Sequence, residues 1–263
     1  MFRALYTGAS GMQAQQTNLD TIANNLSNSS TTGFRSSRMQ FQDLIYQNVI
    51  MPGAAASQQT TVAAGLQIGL GTRSAASEVL QTQGDLTATG NQLDIAIEGS
   101  GFFQVLLPSG ETAYTRAGSF HTDAQGNVVT ANGNPLQPAI TIPQNATTVT
   151  IASDGTVSVT VPGQTAAQTV GNLQLAQFPN AGGLSAAGGN IFMPTTASGD
   201  AVVGTPGGSD GLGAVEQGYL EQSNVSVVDE FINMIVAQRS YEASSRVVQA
   251  ADQMFQLINN LGK

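Results

Sequence analysis

The chain contains no cysteine and no tryptophan, and it has a single histidine among its 263 residues. Without cysteine, no disulfide, no thiolate nucleophile and no cysteine-ligated metal can form. Charged residues make up only 10% of the chain, whereas roughly 25% is typical of soluble proteins. The polar surface must therefore consist mainly of Ser, Thr, Asn, Gln and Gly, a composition that favours a surface used for protein contacts.

Positive charge is scarce, and the negative charge is unevenly placed. The net charge is −9, and ten acidic residues lie between residues 74 and 218 against the single Arg116. No nucleic-acid partner is expected, because no cluster of Lys and Arg is present to neutralise phosphates. The two ends are nearly neutral, so many copies could pack side by side there without strong Coulomb repulsion.

Long apolar runs are also absent. Residues 1–12 lack the continuous apolar run of about 7–15 residues that a secretory signal requires. No stretch approaches the length of a membrane span, so we expect no membrane insertion. The expected location is either the cytoplasm or a compartment reached by export without a cleaved signal peptide.

Both ends of the chain carry an apolar residue at every seventh position. A strict seven-residue repeat keeps one narrow face against a partner helix, as in left-handed coiled coils. The sequence therefore predicts a helix at each end, with an assembly interface on these faces. The predicted interface residues are Leu5, Met12, Leu19, Ile22 and Leu26 in the first helix, and Val227, Met234, Tyr241, Val248, Phe255 and Ile258 in the second.

The helix boundaries follow from local signals. The first helix should run from Phe2 to Ser27, because the polar residues and the glycine of segment 28–33 compete for backbone hydrogen bonds and end it. We expect the last helix to begin soon after Tyr219, with Asp229 and Glu230 at its positive end and Gly262 closing it.

Two arrangements of these helices are open. They could form a coil between subunits, or pack on each other as a two-helix hairpin within one chain. In the first case the helices would be largely disordered in a monomer and would fold on assembly, because isolated helices are marginal in water.

The middle of the chain is predicted to be antiparallel β structure, which makes the fold class α+β with long terminal helices flanking a β domain. Residues 93–98 and 157–161 alternate apolar and polar side chains, the pattern of half-buried strands. Segments 99–101, 123–127, 132–134 and 154–155 carry turn residues. We expect residues 179–213, which are rich in glycine, to form irregular loops.

The predicted domains are a terminal helical assembly domain (residues 1–30 and 219–263), a connecting segment (31–78) and a central β-rich domain (79–218). Within the connecting segment, residues 46–69 are expected to form an extended arm. The stretch after Pro52 has no helical or strand periodicity, and structureless segments longer than about 12–15 residues are usually functional.

Catalysis is not expected. His121 and Asp123 could belong to a hydrolase site, but the segment Asp123–Gly126 is ordinary turn chemistry and no nucleophile motif accompanies it. Asp94 and Glu98 could bind a cation, although a solvated strand face is the simpler interpretation. The glycine-rich segment 207–213 lacks the Lys of a phosphate loop. No cofactor or metal is predicted.

Arg116 is expected in either a structural ion pair or an interface contact.

Three stretches resemble the axial proteins of the bacterial flagellum, the rod and hook family. The first is Ala23–Asn28 followed by Thr32–Arg35, the second runs from Gly84 to Phe103 and on through Tyr114–Phe120, and the third is the last helix, with Asn224, Asp229 and Gln238–Ala243. Together they cover the chain from end to end. The length and the arm ending in Gly65–Gly69 are most similar to the distal rod subunit of that family.

The resemblance implies a self-assembling structural protein of the flagellar basal body, in the periplasm towards the outer membrane, and not an enzyme. Its helices would form an inner tube around an export channel, its β domain would form an outer layer, and the rod would transmit torque from motor to hook. The implied partners are copies of itself, other rod subunits, the hook subunit, the envelope ring proteins and the flagellar export apparatus. Alternatives are a proximal rod or hook subunit, or a secreted β-rich adhesin or binding module.

Overall fold

The computed structural model describes residues 2–51, 55–57, 60–61, 64–163, 166–208 and 211–261. It confirms the α+β class, with one helix at each end and antiparallel strands between them. The elements are α1 Phe2–Ser27, β1 Ser37–Asp43, β2 Tyr46–Ile50, β3 Ala55–Ser57, β4 Thr60–Thr61, β5 Leu66–Gly69, β6 Thr72–Val79, β7 Leu86–Ala88, β8 Ile95–Glu98, β9 Phe102–Leu106, β10 Thr112–Thr115, β11 Phe120–Thr122, β12 Val128–Thr130, β13 Leu136–Gln137, β14 Thr148–Ile151, β15 Thr156–Thr160, β16 Gln168–Asn172, β17 Leu175–Gln177, β18 Ser185–Gly188, β19 Ile191–Met193, β20 Val202–Gly204, β21 Ala214–Gln217, β22 Tyr219–Glu221 and α2 Val227–Leu261.

The chain divides into two compact units. The first unit consists of Met1–Ser27, Ser37–Glu78 and Ser226–Lys263, and the second of Asn28–Ser36 and Val79–Val225. The first unit thus contains both helices, β1 to β5 and all of β6 except Val79, while the second contains most of the strands. The predicted division into a helical assembly domain, a connecting segment and a β-rich domain stays a prediction.

The first helix has the predicted bounds. It ends at Ser27, and the chain then turns through Asn28 and Thr31, where the Thr31 N–H donates to the Asn28 carbonyl at 3.1 Å. Gly33 follows with φ of 69°, a conformation that favours glycine. A Cβ at Gly33 would also lie 2.6 Å from the backbone nitrogen of Ala117, so no larger residue fits there.

The second helix begins later than predicted. Residues Tyr219–Glu221 form β22, which pairs with Leu86–Ala88, and α2 starts only at Val227. Ser226 caps the helix, because its Oγ accepts the N–H of Asp229 at 3.4 Å. Asp229 and Glu230 lie in the first turn, as expected. The predicted end at Gly262 lies outside the described residues.

Paired strands, and not a loop, form the described part of the predicted arm. Strand β2 pairs antiparallel with β5, β3 pairs with β4, and β1 pairs with β6 nearer the helices. The expectation of a segment without secondary structure is therefore wrong for the described residues, whereas the paired strands are compatible with an extended arm. Residues 46–50 pair with residues 66–69, and residues 46–50 do not alternate apolar and polar side chains in a way that would predict the pairing.

The second unit is built on a seven-stranded antiparallel sheet in the order β18-β19-β10-β9-β17-β20, with β13 also pairing with β9. A three-stranded sheet β14-β15-β16 and the pairs β11-β12, β21-β8 and β22-β7 complete it. Strands β18, β19 and β20 lie within residues 179–213, so the prediction of irregular loops there is wrong in part. The predicted turns lie between strands, where expected.

One large apolar core lies inside the second unit. Phe103 and Phe120 are fully buried, with ring centroids 5.2 Å apart in an edge-to-face arrangement. Val157 and Val159 of β15 point into this core while their neighbours are more exposed, which confirms the half-buried pattern. Strand β8 differs from its prediction, because Ala96 is buried together with the flanking isoleucines. Both faces of that strand are covered.

Candidate functional site

Helices α1 and α2 pack against each other in antiparallel fashion within one chain. At one end the rings of Phe2 and Phe255 have centroids 5.0 Å apart. At the other end the Asn25 Nδ2 donates to Glu230 Oε1 at 3.1 Å. Of the two arrangements left open by the sequence, the two-helix hairpin is the one that a single chain forms.

Small residues allow the two helices to approach closely. A Cβ built on Gly8 would lie 2.8 Å from Cγ2 of Val248, and one on Gly11 would lie 3.2 Å from the Ser244 Oγ. Ala237 and Ala251 are almost fully buried on the facing side of α2. Side chains of this size let the backbones meet and leave the larger seam residues to fill the remaining space.

The predicted interface residues divide according to exposure. Ile22 is buried, and the half-buried residues are Leu5, Met12, Leu19, Leu26, Met234, Val248 and Phe255. Val227, Tyr241 and Ile258 are exposed. The seam is thus largely occupied inside the chain, and whether these residues also meet a second subunit stays a prediction.

Helix α2 has a second apolar face, which was not predicted from the sequence. Val228, Ile232 and Ile235 are exposed, at 68%, 53% and 57% of their maximal surface, and follow one another at steps of four and three. Such spacing places them on one side of a helix. Neighbouring Met234 and Ala237 face α1, so this strip points away from the helix pair. The same spacing is visible in the sequence, but the seven-residue seam beside it is more regular.

The arm exposes apolar side chains as well. Ile45, Tyr46, Val49, Ile50 and Leu66 are all exposed. No charged residue occurs between Asp43 and Arg73, so the whole arm is neutral. Clustered exposed apolar side chains are typical of interaction surfaces.

Gly71 connects the base of the arm to α1. Its φ is 119°, and a Cβ there would collide with the Oγ of Ser10. Its carbonyl accepts the N–H of Leu44 at 2.9 Å, and the next residue, Thr72, donates its N–H to Ser10 Oγ at 3.4 Å. The two strands that leave the arm are therefore held on the first helix.

Asn25 also ties the helices to the strands of the first unit. It is 2% exposed, and its side chain accepts the N–H of Ser37 at 2.9 Å and donates to the carbonyl of Ser37 at 2.8 Å. The same amide nitrogen reaches Glu230, as described above. Because a buried amide without partners is costly, this arrangement fixes the start of β1 between the helices.

The second unit contains a buried charge cluster, formed by Arg35, Arg116 and Glu221. Arg35 Nη1 lies 2.7 Å from Glu221 Oε1, and Arg116 Nη1 lies 3.3 Å from Glu221 Oε2. Burial lowers the pKa of Arg116 to about 10, an effect that Glu221 opposes and the nearby Arg35 reinforces. Of the two expectations for Arg116, the structural ion pair is confirmed.

Of the residues considered for catalysis or cation binding, Asp123 and Asp94 accept local hydrogen bonds. The side-chain amide of Asn127 donates to Asp123 Oδ2, and the backbone N–H groups of Gln125 and Asn127 donate to Oδ1. These hydrogen bonds, that of the Asn127 side chain most of all, hold the pKa of Asp123 below its usual value. His121 is exposed on β11. Asp94 is buried and accepts a hydrogen bond from the Thr89 hydroxyl at 2.6 Å, so the expectation of a solvated strand face is wrong for it.

Within the described residues, no three or more His, Asp and Glu side chains converge in a way that could hold a metal ion. Neither α1 nor α2 is apolar enough along a sufficient length to cross a membrane, and the same is true of every described helix.

Three protein families match successive parts of the chain. Residues 5–35 match the family described as flagella basal body rod protein, residues 96–159 the D1 domain of flagellar hook protein FlgE/F/G, and residues 216–261 the C-terminal domain of flagellar basal body rod FlgEFG proteins. These matches fall on α1, on the core of the second unit and on α2.

Similarity to individual proteins extends over the whole chain. The flagellar basal-body rod protein FlgG of Caulobacter vibrioides is 48% identical over 260 residues, covering 98% of this chain and 99% of that protein. The chain belongs to the flagellar basal-body rod proteins. The FlgG of Buchnera aphidicola subsp. Acyrthosiphon pisum is 46% identical, covering 99% and 100% of the two chains, and that of Borreliella burgdorferi is 46% identical, covering 99% of each. As a rod protein, the chain is located in the flagellar basal body.

Proposed function

We propose that this rod protein polymerises with copies of itself into a helical tube that forms the distal rod. The tube transmits torque from the motor to the hook and encloses the export channel. Its further partners are other rod subunits, the hook subunit, the envelope rings and the export apparatus, by which it is exported without signal cleavage into the space between the motor and the outer membrane. The role is structural and not enzymatic.

The exposed apolar surface of the first unit carries this proposal. The outward strip of α2 and the arm both present large apolar side chains to water in a single copy. Burying one Leu-sized side chain contributes about 1.5–3 kcal/mol. A few such contacts per subunit, repeated along a polymer, would outweigh the entropy lost on ordering them.

The helix pair supports a refinement of the interface. Because most of the predicted seam is occupied within the chain, we infer that the seam residues stabilise the helix pair and that subunits meet mainly through its outer surface. The exposed members of the predicted set, Val227, Tyr241 and Ile258, are also available for contact with a neighbouring subunit. The neutral arm would bridge to a neighbouring subunit and restrict sliding, which keeps the rod stiff.

Electron microscopy of the purified, concentrated protein tests the proposal. The full chain should form helical tubes, whereas a chain lacking residues 2–27 should keep the second unit folded and form none. That deletion retains Arg35, and with it the buried charge cluster. Tubes formed by the deletion variant would refute the role of the helices. A full chain that stays monomeric and binds a sugar would instead support a binding module.

A further inference from the structure

The register of the arm gives its two faces different chemistry. Asn48 pairs with Gln67, and two residues later Ile50 pairs with Leu66, so β2 has one extra residue at Val49. Such a bulge re-aims the side chains that follow it. Since side chains alternate along a strand, Leu66 lies on the same face as Ile68, and Ile50 joins them there.

The result is an arm with one apolar face and one mainly polar face. Ile50, Leu66 and Ile68 share the apolar face with one polar residue, Gln47. The other face carries Asn48, Gln67 and Tyr46. Ile50 and Leu66 are both exposed in a single copy. A two-stranded ribbon is marginally stable by itself, so its apolar face needs a surface to pack on.

The outward strip of α2, defined by Val228, Ile232 and Ile235, matches this face. Residues 231–238 contain no charged side chain, and neither does the arm between Asp43 and Arg73. Around Ile232 and Ile235, packing one on the other would therefore bury no charge, whereas burying an unpaired charge is costly. Asp229 and Glu230 lie next to Val228, at the end of the strip. The length of the strip also suits a ribbon, since its residues span about two helical turns.

Within one copy, the arm and the strip do not cover each other. The arm and the strip belong to the same compact unit, yet Ile50, Leu66 and all three residues of the strip remain exposed there, and Ile68 is half-buried. The surface that covers each must come from another molecule, and each copy offers both halves of such a contact. Repetition of a head-to-tail contact of this kind generates a helical polymer.

We propose that the face of the arm formed by Ile50, Leu66 and Ile68 packs on the α2 strip formed by Val228, Ile232 and Ile235 in a second copy. The inference rests on the proposed function, in which copies of this chain polymerise. It adds the pair of surfaces that meet and the face of the arm that is used.

Cysteine cross-linking tests the contact directly, because the chain has no native cysteine. A Leu66→Cys variant is mixed with an Ile235→Cys variant, polymerised and oxidised, and linked peptides are identified by mass spectrometry. A link between positions 66 and 235 then joins two copies by necessity. The matched control replaces Leu66→Cys by Gln67→Cys, the adjacent residue on the opposite face, which is also exposed.

The expected result is a strong link from position 66 to position 235 and several times less from position 67, since a disulfide requires Cα atoms within about 7 Å. Tubes without the link, or equal links from both positions, would overturn this contact and leave the proposed function standing. Efficient self-linking of the Ile235→Cys variant without any link to position 66 would also overturn it, because the strip would then face another helix. Absence of tubes in the unmodified chain would refute both proposals.

Discussion

The two compact units treat their apolar side chains in opposite ways. In the second unit the aromatic and aliphatic side chains converge on a core that includes Phe103, Phe120 and Val159, and its exposed large apolar residues within the described chain are Val202, Val203 and Tyr219. In the first unit the helices and the arm leave most of theirs facing water. The second unit is complete as a single molecule, whereas the first needs other molecules to cover it.

The difference predicts that substitutions in the second unit change the stability of the monomer and that substitutions on the outside of the first unit change assembly. Three substitutions can break or sharpen this comparison. Their expected effects on monomer stability decrease from the buried charge cluster to the outward strip of α2.

The largest effect is expected for Glu221→Gln. Loss of this carboxylate leaves Arg35 and Arg116 buried without a counter-charge. Breaking a buried ion pair in this way costs about 3–5 kcal/mol. Urea unfolding of the second unit, followed by segment-resolved hydrogen exchange, measures the loss.

The matched control for that change is Glu242→Gln, which breaks an exposed ion pair with Arg239 and should cost no more than about 1 kcal/mol. A second variant, Arg35→Met, removes one positive charge and leaves Arg116 paired with Glu221, so the buried cluster stays electrically neutral. Arg35→Met should therefore destabilise the unit less than Glu221→Gln. The reverse order would show that the three groups do not behave as one charge cluster.

An intermediate effect is expected for Asn25→Ala in the first unit. The change leaves the N–H and carbonyl of Ser37 without their side-chain partner and costs about 1–3 kcal/mol. Faster hydrogen exchange should appear in α1 and β1, with the second unit unchanged. Gln16→Ala, at an exposed position of the same helix, serves as the control. Equal exchange in both variants would contradict the role given to Asn25.

The smallest effect on the monomer is expected for Ile235→Ser. Its side chain is already exposed, so the free energy of unfolding should change by less than about 0.5 kcal/mol. Tube formation, followed by light scattering and electron microscopy, should nevertheless be strongly reduced. Gln249→Ser on the same helix should assemble normally. Normal tubes from Ile235→Ser would remove the strip from the assembly surface.

Local signals were sufficient to predict α1, whose bounds depend on its own seven-residue pattern and on the polar turn up to Gly33. They were insufficient for α2, because Tyr219–Glu221 is drawn into a strand by Leu86–Ala88, far away in sequence. The pairing of β2 with β5 escaped prediction for the same reason. Contacts between distant segments have no signature in a short window of sequence.

The candidate site was predicted in part. The seam residues were predicted from their spacing, and their role as an assembly interface stays a prediction. Their use within one chain was one of the two arrangements considered. The outward strip was missed, although Val228, Ile232 and Ile235 show helical spacing, because exposure can be judged only when the partner helix is placed. The buried cluster around Glu221 was missed because its three members come from separate parts of the chain.

The antiparallel pairing of α1 with α2 also bears on when the subunit becomes able to assemble. In the described chain α1 is synthesised before α2, so the first helix has no partner until α2 has been made. All described strands of the second unit, of which β22 is the last, precede α2 in the chain. A molecule that ends before α2 therefore has no helix pair, and it cannot join a growing structure through that pair.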